Sequence, residues 1–186
     1  ALLGDRIERN LAFLAIGQLR VGAGQRLIEK LIVRSQRSEH WGPLSEDYST
    51  LSVCVGMRGD YARASAVLEL AVDCAQRARH PQRMLLTMLG LATIETSLGR
   101  LDRAQAVLRD CAPLVEAGYT EYLCLHAFLI RGELAFEQAR FDEARQQFSS
   151  ALEHCQCHLP ERALNARLWL DLVLVETGRA VEALTL

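Results

Sequence analysis

The chain has 186 residues, half of them hydrophobic and a quarter charged, with a formal net charge of −2. That balance gives no basic footprint for a phosphate backbone, so direct nucleic-acid binding is not expected. Four prolines and twelve glycines are too few for a turn-rich all-β protein, whereas the abundant Leu, Ala, Arg and Glu favour helix. A single all-α domain over residues 1–186 is the expectation.

In chain order, a first helix is expected over 5–20 and a partner over 24–36, around a weak turn at Gly22-Ala23-Gly24-Gln25-Arg26-Leu27. The stretch from Arg37 to Leu44, with Trp41, Gly42 and Pro43, reads as an irregular connection. Ser45 followed by Glu46 and Asp47 then looks like an N-cap with acids in the first turn, opening a helix over 45–57. Its partner spans 61–79. Pro81 sits where a first-turn proline is tolerated and opens 81–98, paired with 101–117. Thr120 with Glu121 caps 120–138, paired with 141–157. Pro160 begins 160–177, and the last partner, 180–186, is cut short. The chain is therefore read as a fragment of a longer protein.

These ten helices fall into five pairs because their turns repeat. Gly59-Asp60-Tyr61-Ala62-Arg63-Ala64, Gly99-Arg100-Leu101-Asp102-Arg103-Ala104, Ala139-Arg140-Phe141-Asp142-Glu143-Ala144 and Gly178-Arg179-Ala180-Val181-Glu182-Ala183 are spaced 40, 40 and 39 residues apart. The glycine supplies the left-handed residue that ends one helix. An apolar residue closes the turn, and an alanine three positions later allows close approach. Seven residues before the turn stand Ala15, Ser52, Ala92 and Gly132, with Asp171 the exception. Nine after it stand Leu31, Leu68, Leu108 and Phe148. Small opposite large at fixed offsets is how paired helices interdigitate. The expected fold is an α-solenoid, a right-handed superhelix of about five hairpins of about 40 residues.

The Gly-x-apolar-x-x-Ala turn resembles the tetratricopeptide repeat, whose unit is shorter, at 34 residues. Longer units with lines such as Leu98-Gly99-Arg100-Leu101-Asp102-Arg103-Ala104 and Leu91-Ala92-Thr93-Ile94-Glu95 are similar to the helical-repeat domain of MalT-like, LuxR-type, ATP-dependent transcription regulators. That resemblance implies a non-catalytic sensor segment receiving a small-molecule inducer, such as an oligosaccharide, or a protein partner. ATP and DNA would be handled by other parts of the full protein. In keeping with it, these residues contain neither a P-loop nor a helix-turn-helix. The alternative is a tetratricopeptide scaffold that binds peptides or proteins and has no link to transcription.

Carrying over the tetratricopeptide offsets, positions three, six and ten before each turn face the groove. They are Gly56, Val53 and Ser49, then Thr96, Thr93 and Leu89, then Phe136, Glu133 and Leu129. Thr93, Thr96, His126, Glu133 and Phe136 are the candidate ligand- or partner-binding residues. The competing reading puts Phe136 in the core and leaves Glu133 merely solvated. His154-Cys155-Gln156-Cys157-His158 offers four metal-ligand types in five residues, but on a helix Cys155 and Cys157 point about 100° and 300° away from His154. No metal, cofactor or catalytic group is expected. Four of the six cysteines fall in apolar stripes and read as small hydrophobes in a reduced, cytoplasmic protein. No run is long and apolar enough to span a membrane. Exposed solenoid ends would favour self-association.

Overall fold

A computed structural model describes residues 2–118, 120–155 and 160–183, and these are helical apart from short turns. The helices are α1 (Leu2–Gly17), α2 (Val21–Arg37), α3 (Trp41–Gly56), α4 (Tyr61–Arg77), α5 (Pro81–Ser97), α6 (Leu101–Glu116), α7 (Glu121–Glu137), α8 (Phe141–His154), α9 (Pro160–Glu176) and the single turn α10 (Ala180–Ala183). They form two compact units, residues 1–98 with α1 to α5 and residues 99–186 with α6 to α10. Within each unit, helices consecutive in the chain pack together.

The turns explain the period. Leu19, Gly59, Gly99, Ala139 and Gly178 all adopt positive φ, between 55° and 83°. Each lies two residues before the next helix. The amide that follows bonds back five residues, as in Arg20 N–H to Ala15 O at 2.8 Å, Arg140 to Ala135 at 2.8 Å and Arg179 to Leu174 at 2.7 Å. This Schellman closure satisfies carbonyls that the helix end would otherwise leave open. It also corrects the first turn. The left-handed residue is Leu19, 40 residues before Gly59, and the reading at Gly22 was three residues late because leucine hides the usual glycine signal. In the corrected register the small residue seven positions earlier is Ala12, fully buried, and the large residue nine positions later is Ile28, also fully buried.

A second correction concerns the connection expected from Arg37 to Leu44. Only residues 38–40 link α2 to α3, and α3 begins at Trp41 with His40 at its N-cap. Gly42 and Pro43 are first-turn residues, where proline loses no helical hydrogen bond. Ser45 is consequently no cap. It is buried within α3, and its Oγ donates to the Ala71 carbonyl of α4 at 2.8 Å. The other capping expectations hold. Thr120 accepts from the Leu123 amide at 3.2 Å, and Pro81 opens α5 behind His80, whose ring nitrogen accepts from the Arg83 amide.

Packing is tightest where the repeat supplies small residues. A Cβ on Gly24 of α2 would lie 2.6 Å from Ile16 Cγ1 and 3.0 Å from the Ala12 carbonyl. One on Gly132 of α7 would lie 2.5 Å from Phe148 Cε1. Phe148 is fully buried and stacks on Trp169 of α9 with centroids 5.5 Å apart. Ala64, Ala104 and Ala144, the equivalents of Gly24 in later turns, are likewise fully buried.

The two units fill their interiors differently. In the second, Phe136, Phe141, Phe148 and Trp169 form an aromatic cluster. In the first, a polar knot joins four helices. Arg9 of α1 donates from Nε and Nη2 to the two Asp47 oxygens of α3, at 2.7 and 3.1 Å. Ser35 of α2 donates to Asp47 Oδ2 at 3.3 Å. Glu46 stands 3.8 Å from Arg9 and 3.5 Å from Arg83 of α5. Burial pushes the Asp47 carboxyl above its ordinary value, with Arg9 and Ser35 pulling the other way. The knot therefore specifies geometry at an energetic cost.

Two outcomes follow from this packing. Gly132→Ala gains about 1 kcal/mol of helix propensity, yet overpacking against an immovable ring costs roughly 1–3 kcal/mol, so a net loss is expected in urea unfolding. Adding Phe148→Leu should make the double variant less destabilised than the sum of the singles. Arg9→Met alone should cost about 3–5 kcal/mol by stranding a buried carboxylate, whereas Arg9→Met with Asp47→Leu should recover most of it. Equal destabilisation of single and double variants in a denaturant titration would contradict this reading of the knot.

Candidate functional site

The helices that open each repeat lie side by side within each unit: α1 against α3 and α3 against α5 in the first, α7 against α9 in the second. The position six residues before the left-handed turn residue is open or half-buried in every repeat. In the first unit it is filled by Phe13 (46% exposed), Val53 (52% exposed) and the half-buried Thr93. Large apolar groups left in water at equivalent positions of neighbouring helices have no part in the core, and they make this face the candidate contact surface. In the second unit the same position holds the half-buried Glu133 and the exposed Leu172.

The five candidate residues divide between the units, Thr93 and Thr96 on α5 and His126, Glu133 and Phe136 on α7. Thr93 Oγ1 donates to Leu89 O at 3.1 Å and Thr96 Oγ1 to Ala92 O at 2.9 Å. Both hydroxyls are thus engaged by their own helix, and Thr96 is only 9% exposed. Thr93 keeps part of its surface open. His126 is half-buried, with its ring 6.1 Å from that of Tyr122. Phe136 meets Phe141 and Trp169 edge-on at 5.6 and 5.3 Å, inside the aromatic cluster. Of the remaining groove positions, Leu89 and Leu129 are buried and belong to the core, while Val53 is open. Phe13 escaped the sequence reading because the first turn was set three residues late; counting 40 back from Val53 finds it.

The cysteines and histidines behave as packing and capping groups. Cys54, Cys74, Cys111 and Cys124 are free thiols, and burial raises the first three above the ordinary thiol value. Such thiols are poor nucleophiles. In the His-Cys-Gln-Cys-His run, His154 Nδ1 sits 2.8 Å from the Ser150 carbonyl, its ring is 5.0 Å from Phe128, and Cys155 is buried. Gln156, Cys157 and His158 lie outside the described residues. Among the described residues no group of three or more His, Cys, Asp or Glu could hold a metal ion, and no helix is long and apolar enough to cross a membrane.

The sequence matches no protein-family profile and no curated protein. Solved structures, however, share its fold. A Rap protein complexed with competence and sporulation factor superposes with a TM-score of 0.82 at 13% identity, over 99% of this chain and 52% of that one. The apo form of the quorum sensor NprR from B. thuringiensis gives 0.76 at 14%, over 96% and 50%. A putative kinesin light chain of Podosopora anserina with nearly identical TPR-like repeats gives 0.75 at 17%, over 97% and 89%. The fold is a tetratricopeptide-like helical repeat. The chain spans about half the length of the Rap and NprR structures.

Replacing Phe136 separates a core role from a surface role. Loss of its two edge-on ring contacts predicts that Phe136→Ala costs about 2–3 kcal/mol. A thermal melt unchanged by the substitution would return Phe136 to the surface.

Proposed function

We propose that this chain is a non-catalytic partner-binding module that takes up a peptide or protein segment along the face formed by α1, α3 and α5. The observation that carries the reading is the row of Phe13, Val53 and Thr93, two exposed apolar groups and a partly open threonine at equivalent positions of three adjacent helices. Apolar anchors beside polar groups suit an extended segment whose side chains alternate in character. The neighbours give the fold a regulatory precedent. One is a Rap protein solved with competence and sporulation factor bound, and another is a quorum sensor.

The finer setting we propose is the sensing segment of a MalT-like transcription regulator, supported by the 40-residue unit and its Gly-Arg-Leu-Asp turn. In that setting an oligosaccharide or another small inducer competes with peptide as the ligand class. A scaffold unconnected with transcription uses the same face and differs only in what the rest of the protein does.

Thermal-shift screening against short peptides, oligosaccharides and small metabolites tests the reading, because a ligand specific to the folded state raises the melting temperature with dose. A peptide hit is expected. Phe13→Ser and Val53→Asp should weaken its binding at least about tenfold while leaving the melting temperature of the free chain within a degree or two, since surface changes cost little. Binding that survives both substitutions would place the contact elsewhere.

A further inference from the structure

We infer a second binding site, for a carboxylate on a short aliphatic stem, in a cleft between α6, α7 and α8. The cleft has a volume of about 210 Å³ and is lined by Gln105, Leu108, Arg109 and Ala112 of α6, by Arg131 and Leu134 of α7, and by Arg140 and Glu143 at the start of α8. At about 30 Å³ per water it has room for roughly seven, enough for one acidic group and its stem.

Two departures from the repeat converge there. The position eight residues before each left-handed turn residue is Leu11, Leu51, Leu91, Arg131 and Leu170 in successive repeats. Leu51 and Leu91 are buried in the interior of the first unit, whereas Arg131 keeps part of its surface open. The position ten residues after the turn is Glu29, Glu69, Arg109 and Ser149, so an acidic position has become basic. Both arginines line the same cleft. A place where a sequence breaks its own local rule is where function is to be sought.

The charges there are unbalanced. Arg140 is engaged by Glu143 and by Gln138, whose Oε1 accepts from Arg140 Nε at 3.1 Å. Arg109 and Arg131 have no carboxylate partner among the described residues. Two guanidinium forks match an oxyanion bidentately. Leu108, Ala112 and Leu134 supply apolar lining, which suits an aliphatic stem and gives a bare inorganic anion nothing to bury. Such a group is carried either by an acidic side chain of a partner peptide or by a free dicarboxylate. Within the second unit, the cleft is not on the face of α7 that carries Glu133. Arg131 leaves α7 about 200° around the helix from Glu133, at 100° per residue.

Isothermal titration of the full chain at low salt, with glutarate, inorganic phosphate and an acetylated Glu-Ala-Glu peptide as probes, tests the assignment. Saturable binding of glutarate or the peptide is expected, weakened at least about tenfold by Arg131→Leu and by Arg109→Glu. Both variants install the residue that other repeats carry at that position, so their melting temperatures should match or exceed wild type. Peptide binding without glutarate binding identifies a partner side chain as the source, and the reverse identifies a metabolite. Phosphate binding more tightly than glutarate, an absence of saturable binding by all three probes, or binding indifferent to both substitutions would overturn the assignment.

Discussion

Close approach of helix backbones at one point per repeat is the constraint on which the rest of this molecule depends. Gly24, Ala64 and Ala144 occupy that point in the hairpins that lie within a unit, each five residues past a left-handed residue. At Gly24 a Cβ would run into the Ile16 side chain and crowd the Ala12 carbonyl, so glycine is favoured there. Where a full ring fills the space opposite, as with Phe148, the glycine moves to the facing helix at Gly132. Interiors packed at crystal-like density cannot absorb an extra methyl group at such a contact. The alternation of small and large therefore fixes the register of the pairs within each unit, and the register in turn decides which side chains reach the open face and which are buried.

This dependence also separates what could be read from the sequence from what could not. The turns at Gly59, Gly99 and Gly178 carry a sign in the sequence, because left-handed backbone is cheap only for glycine, and Ala139 is legible from its 40-residue spacing to Gly99. Leu19, with φ of 59°, bears the same conformation without the sign, and the first repeat was accordingly misread along with Phe13. Gly42 and Pro43 misled in the opposite sense. They look like helix breakers, but proline in a first turn has no helical hydrogen bond to lose. Ser45 and Asp47 looked like an exposed helix start and are in fact buried. Their partners, the Ala71 carbonyl and Arg9, lie 26 and 38 residues away in the chain. Pairings at that separation leave no local pattern to detect.

The candidate face was legible in outline and less so in its members. Offsets borrowed from a shorter repeat located Val53 and Thr93 on an open surface, yet the same offsets named Leu89 and Leu129, which are core. An offset from the turn fixes the direction in which a position points from its helix, and the helices packed alongside decide whether that direction is open, as at Val53, or covered, as at Leu89 and Leu129. The arginine cleft leaves no signature in the sequence for a different reason. A single arginine in an apolar column reads as an irregularity until the fold shows a second one facing the same space.

The contrast between the two interiors has a practical side. Of the two tryptophans, Trp41 lies in the first unit, where the Arg77 guanidinium sits 4.8 Å over its ring. Trp169 lies in the second, stacked on Phe148 and edge-on to Phe136. The chain thus carries one tryptophan in each half, one beside a cation and one packed against aromatic rings. In repeat proteins stability is a sum of local terms, so replacing either indole with phenylalanine leaves an optical signal that reports the melting of the other half alone.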